Sequence, residues 1–92
     1  MTLLSLVTPS DVQRQLANGV RRRRRERKLS RNALAELTTV PPATIKRFES
    51  AGQISLRQFI LLWQCVDHLD RLAALAEVPE TPPRSIEDIL AT

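Results

Sequence analysis

LTTVPPATIKRFES, residues Leu37 to Ser50, joins two helical patterns through a turn of only three residues, Thr39 to Pro41. Upstream, Ser30 can cap a short helix over residues 31–38 whose inward candidates are Ala33, Leu34 and Leu37. Downstream, Pro42 suits the first turn of another helix, because its missing N–H costs little there. That helix is expected to run to about Ser50, to turn Ile45 and Phe48 inward, and to stop at Gly52.

Working outward, Thr8, Pro9 and Asp11 have the features of a helix start: a hydroxyl cap, a proline at the first position and an acid at the third. Val12, Leu16 and Val20 then recur every four residues, giving one apolar stripe on a first helix from about Pro9 to Arg27. Gly19 weakens it somewhat. Ser55 caps a fourth helix, SLRQFILLWQCVDHL, with Leu56, Phe59, Ile60 and Trp63 assigned to the core. Leu62, Cys65, Val66 and Leu69 extend apolar surface around that cylinder, and a fifth segment, DRLAALAE, continues it. The expected organisation is an all-α, compact five-helix domain over residues 9–77, with an N-terminal extension 1–8, a linker 78–84 and a short C-terminal helix or tail 85–92. VPETPPR marks the linker by composition. Ser85 and Asp88 form a possible capping box before Ile86, Ile89 and Leu90, but so short a helix is marginal alone.

Ninety-two residues suit one small domain with a modest core. One cysteine, Cys65, allows no internal disulfide and has no metal-ligand spacing around it. His68 has no second histidine or nearby cysteine at ligand spacing, and Gly19 and Gly52 are too far apart for a phosphate-cradling loop. No catalytic residue, metal or cofactor is expected, and the reading is not an enzyme. MTLLSLV lacks the basic leader of a signal peptide, and FILLWQCV is too short to cross a bilayer, so the expected location is cytoplasmic.

Charge is distributed unevenly. Residues 1–52 hold eleven Lys and Arg against four Asp and Glu, whereas residues 53–92 hold three against six. The run RRRRRERK, residues 21–28, accounts for seven of those basic side chains. A basic half points to a polyanion, and an acidic, apolar half points to protein contacts. Charge alone leaves a membrane surface open, and the Val12, Leu16 and Val20 stripe would serve it if it were free for lipid. A helix fits the major groove of B-form DNA, and a preceding helix packed across it can fix its angle. The 37–50 stretch meets that need for short helices, a tight turn and apolar facing sides.

The stretch LANGVRRRRRERKLSRNALAELTTVPPATIKRFESAG resembles the helix-turn-helix domain of the Cro and phage-repressor group, the XRE family. LSRNALA matches its Leu-Ser/Thr-Gln-x-x-Leu-Ala pattern, and VPPATIKRFES matches its recognition segment. The likeness extends from Leu16 to Glu77, about two thirds of the chain. Two departures stand out: Thr39 replaces the turn glycine and Arg31 replaces the usual glutamine. A left-handed turn at Thr39 would cost on the order of 1–2 kcal/mol.

The resemblance implies a lambda-repressor-like fold and a division of labour. Pro42, Ala43, Lys46 and Arg47 face base edges, with Ala43 against a thymine methyl and Arg47 bidentate to guanine. Arg31, Thr44, Arg21, Arg25 and Lys28 are backbone candidates, as are Arg22 and Arg27, unless solvated. Arg24 and Glu49 form a partly buried ion pair between the first and third helices. Arg23 stands where the family has an apolar residue, its stem covering the core and its head snorkelling outward.

One recognition helix covers few bases, so two copies spaced by one DNA turn, roughly 34–36 Å, are expected on a palindromic operator. Leu62, Cys65, Val66, Leu69 and Leu72 are the candidate homodimer surface. A minimal domain, a proline-rich linker and SIEDIL are similar to HipB-like regulators, which implies an autorepressing antitoxin with a HipA-like kinase toxin as partner, contacted through Ile86, Ile89 and Leu90. A stand-alone phage-like repressor is the alternative, and a membrane- or protein-binding helical module is the rival class.

Overall fold

The computed structural model describes residues 6–79; most of the N-terminal extension, the linker from residue 80 on and the Ile86, Ile89 and Leu90 helix lie outside them. Five α-helices follow in order: α1 Pro9–Glu26, α2 Arg31–Thr38, α3 Pro42–Ala51, α4 Leu56–Val66 and α5 Leu69–Ala73, with a 3₁₀ turn at Ala74–Ala76. Local chemistry sets most boundaries. At α1, the Thr8 hydroxyl accepts from the Asp11 N–H while the Asp11 carboxylate accepts from the Thr8 N–H, each at 3.1 Å, closing a reciprocal cap. Ser30 and Ser55 cap α2 and α4 by accepting from the N–H groups of Ala33 and Gln58.

α1 packs across α3 and α4, and α2 packs against α3 and α4, around one core. Val20, Leu34, Val40, Ile45, Phe48, Leu62 and Val66 are its fully buried side chains, with Ala17, Ala35, Phe59 and Trp63 beside them. Phe48 meets Phe59 edge-on, centroids 5.8 Å apart, and Phe59 lies 6.0 Å from Trp63. Such aromatic contacts add roughly 0.5–1.5 kcal/mol each beyond the area they bury.

Several faces differ from expectation. On α4 the core stripe is Phe59, Leu62, Trp63 and Val66, while Leu56 is 72% exposed. Leu62 and Val66 are therefore core residues and are lost to any dimer surface. α1 and α2 both pack against α4, and the face that they and the core cover is the one carrying Leu62 and Val66. Leu37 is also exposed, since Thr38 turns inward instead and its hydroxyl returns to the Leu34 carbonyl at 2.7 Å. Of the α1 stripe only Val20 is fully buried; Ala17 and Arg24 complete the inner line, and Val12 and Leu16 remain partly exposed where α1 overhangs the end of α3. There Gln13 donates to the Gly52 carbonyl.

Gly52 itself has φ 77°, and a Cβ on it would come within 3.2 Å of the Gln13 Cβ, so glycine serves both the turn and the approach of α1. α4 ends three residues before Leu69. Asp67 is extended, its N–H closes on the Trp63 carbonyl, and its carboxylate accepts from the His68 N–H.

Candidate nucleic-acid interface

The turn between α2 and α3 keeps the left-handed shape despite its residue: Thr39 has φ 65° and ψ 8°. Its N–H still reaches the Ala35 carbonyl at 2.8 Å. Pro41 precedes α3 in extended backbone, so Pro42 enters the helix with no lost hydrogen bond. Ile45, Phe48 and Glu49 are then buried, and Pro42, Ala43, Lys46 and Arg47 are exposed on the other side. Thr44 is half-buried at the edge between the two sets.

Arg47 does not stand free. Its Nε and Nη2 both donate to Gln53 Oε1, at 3.1 and 2.6 Å, which aligns the guanidinium along the outer side of α3. Gln53 carries no helical periodicity, so its role is invisible to pattern reading. Lys46 lies one position earlier and has its carbonyl bound by the Ser50 hydroxyl.

Behind α3 lies a buried charge cluster. Arg24 donates from Nε to Glu49 Oε2 at 2.7 Å and from Nη2 to Oε1 at 3.0 Å, while its Nη1 donates to the Leu29 carbonyl at 2.8 Å. Arg31 adds a third bond, from Nε to Glu49 Oε1 at 3.0 Å. Burial pushes the Glu49 carboxyl up, but the hydrogen bonds from Arg24 and Arg31 outweigh it and hold the group below the usual glutamate range. Arg31 thus joins the basic surface to the core, a link that the residue type alone does not foretell.

The arginine run is divided by helical phase. Arg23 turns toward α4, where its guanidinium sits 4.7 Å from the centre of the Trp63 ring and its Nε donates to Asp67 at 2.8 Å. The Trp63 indole N–H donates to the His68 carbonyl, and Arg71 also reaches Asp67. The head of Arg23 is therefore partnered, not merely snorkelling. Arg21 is half-buried with its Nε lacking a hydrogen-bond partner, and it shares a hollow with Asn18, Arg22, Arg25 and Glu26. Arg25 also borders a second hollow, formed with Ser30, Arg31, Asn32, Ala43 and Lys46. Arg22, Arg27 and Lys28 are exposed, Lys28 in left-handed backbone at φ 56°.

At the other end, Leu56, Ile60, Leu69, Leu72 and Leu75 line an apolar groove between α4 and α5. Cys65 and Leu72 pack partly against the core, and Leu69 is 37% exposed. Of the five residues expected at a dimer surface, Leu69 and Leu72 border this groove. Leu75, in the 3₁₀ turn of the fifth apolar segment, borders it as well, and so does Leu56, which contradicts its expected place in the core.

Among the described residues, no cluster of His, Cys, Asp or Glu is arranged to hold a metal ion, and no helix is long and apolar enough to cross a membrane. Compared with family profiles, curated proteins and solved structures, the chain matches none.

Proposed function

We propose that this protein is a sequence-specific double-stranded DNA-binding regulator of the Cro and phage-repressor type, with α3 entering the major groove. One observation carries the reading: α3 buries Ile45, Phe48 and Glu49 while Ala43, Lys46 and Arg47 remain exposed on a helix braced across by α2. The exposed set has the chemistry of base readout, a small apolar contact and two long cationic donors. The exposed arginines of α1 supply attraction to the phosphate backbone.

In this reading two copies meet through the groove of Leu56, Ile60, Leu69, Leu72 and Leu75 and read a palindromic operator. The regulator represses its own operon as an antitoxin, and a HipA-like kinase toxin is the second partner; a stand-alone repressor would lack it. Selection of bound duplexes from a random pool tests the core claim. The expected result is a two-fold symmetric site protected at both halves, bound by a dimer in analytical ultracentrifugation. Enrichment of no sequence, or stronger retention by anionic vesicles than by duplex at equal salt, would reject it. Copurification with the product of the adjacent reading frame separates the antitoxin from the stand-alone form.

A further inference from the structure

Arg31 is held by one edge only. Its Nε donates to Glu49 Oε1, and its two terminal amino groups make no hydrogen bond to the described residues. The side chain is 37% exposed, whereas that of Glu49 is 1% exposed. Glu49 cannot follow Arg31 outward, because Arg24 grips both carboxylate oxygens and is itself tied to the Leu29 carbonyl. The acid is a fixed point.

The hollow that Arg31 borders is cationic and polar, lined also by Arg25, Ser30, Asn32 and Lys46, with no carboxylate in its wall. A guanidinium bound through Nε keeps its Nη1 and Nη2 edge as a planar fork, which fits two oxygens of one phosphodiester. Left without its anchor, a long arginine would sample many rotamers and lose side-chain entropy on binding.

We infer that Glu49 is a positioning residue for the DNA backbone: by holding Arg31 Nε it aims the remaining fork at a phosphodiester seated in the hollow beside Arg25 and Lys46. The inference rests on the duplex-binding reading above and adds to it a second duty for the buried acid. A lysine at position 31 would keep the charge yet could not bond Glu49 and present a fork at once.

Duplex affinity and its salt dependence, measured on the selected site and on random duplex, test this in R31Q, R31K, E49D and the E49D/R31Q double variant. R31Q is expected to reduce the salt slope by about 0.9, the contribution of one phosphate, and to weaken both duplexes alike. R31K should retain the slope but bind about tenfold more weakly, the loss of one charge-assisted hydrogen bond. E49D keeps a charge for Arg24 while drawing the carboxylate back, and should weaken binding only where Arg31 is present. An equal effect of E49D with and without Arg31 would make Glu49 structural alone and overturn the inference. So would R31K binding as the wild type does, a result available even if the Glu49 variants fail to fold. If the wild-type protein binds no duplex, the functional reading itself fails and this inference with it.

Discussion

The two ends of the molecule expose side chains in different ways. At the basic end, Arg31 is tied to Glu49 and Arg47 to Gln53, so long flexible cations are held by partners behind or beside them. At the apolar end, Leu56 and Leu75 stand 72% and 80% exposed beside the half-buried Ile60 and Leu72. Polar surface can be preorganised within one chain, by hydrogen bonds; an apolar groove can be covered only by something else. The contrast separates a surface built for placement from one built for burial.

The sharpest way to break that contrast is to remove the fixed point at the basic end. Glu49→Ala strands the buried Arg24, and a loss of about 3–5 kcal/mol is expected in urea denaturation. A loss below 1 kcal/mol would make the cluster an ornament of the surface. Next, Leu62→Ala should cost about 2–5 kcal/mol as a core cavity, whereas Leu56→Ser should change stability by no more than about 0.5 kcal/mol. Both are measured at protein concentrations low enough that self-association does not contribute. Equal costs would mean that the assignment of the two α4 faces is wrong.

Arg47→Ala should weaken the selected duplex by about 1–3 kcal/mol and random duplex by less. Equal losses in filter binding would reassign Arg47 to the backbone. The smallest effect is at the turn: Thr39→Gly relieves the left-handed β-branched residue, by about 1–2 kcal/mol, against a glycine entropy cost of about 0.5–1 kcal/mol. A modest rise in melting temperature is expected.

Acid should act through two carboxylates held by arginines, one in the buried cluster and one at the end of α4. Glu49 is held below the usual range by the two arginines against its burial, and Asp67 is held low by Arg23 first and then by the His68 N–H. Both carboxyls are ionised in the folded protein where the unfolded chain has begun to take up protons. The stability they contribute is therefore full at neutral pH and falls as pH drops below about 4.3, the ordinary glutamate value. Denaturation midpoints at pH 7, 5 and 3.5 should be nearly level between the first two and lower at the third.

Much of the fold was legible because its boundaries are written in local chemistry. Thr8 with Asp11, Ser30 and Ser55 act through neighbours three residues away, Pro42 and Gly52 through their own backbone preferences, and α1 to α4 begin or end where those residues require. Phase was harder. Leu56, Phe59, Ile60 and Trp63 have the same helical spacing as Phe59, Leu62, Trp63 and Val66, and only the neighbouring helices decide which set is covered. The Arg24 and Glu49 contact was accessible through a family resemblance. The Arg31–Glu49 and Arg23–Asp67 links were not, since each joins residues far apart in the chain by a single long side chain, and the Arg47–Gln53 link crosses the end of α3, where helical spacing no longer applies.

The position of Trp63 has a practical consequence. It is the sole tryptophan, buried in the core with a cation over its ring and its N–H bound to the segment that opens α5. Its emission therefore reads the clasp between the arginine helix and the end of α4 without any added dye. Loosening of that clasp, whether by acid, by substitution of Asp67 or by a ligand that draws Arg23 away, would register in the light from one indole before the rest of the helices melt.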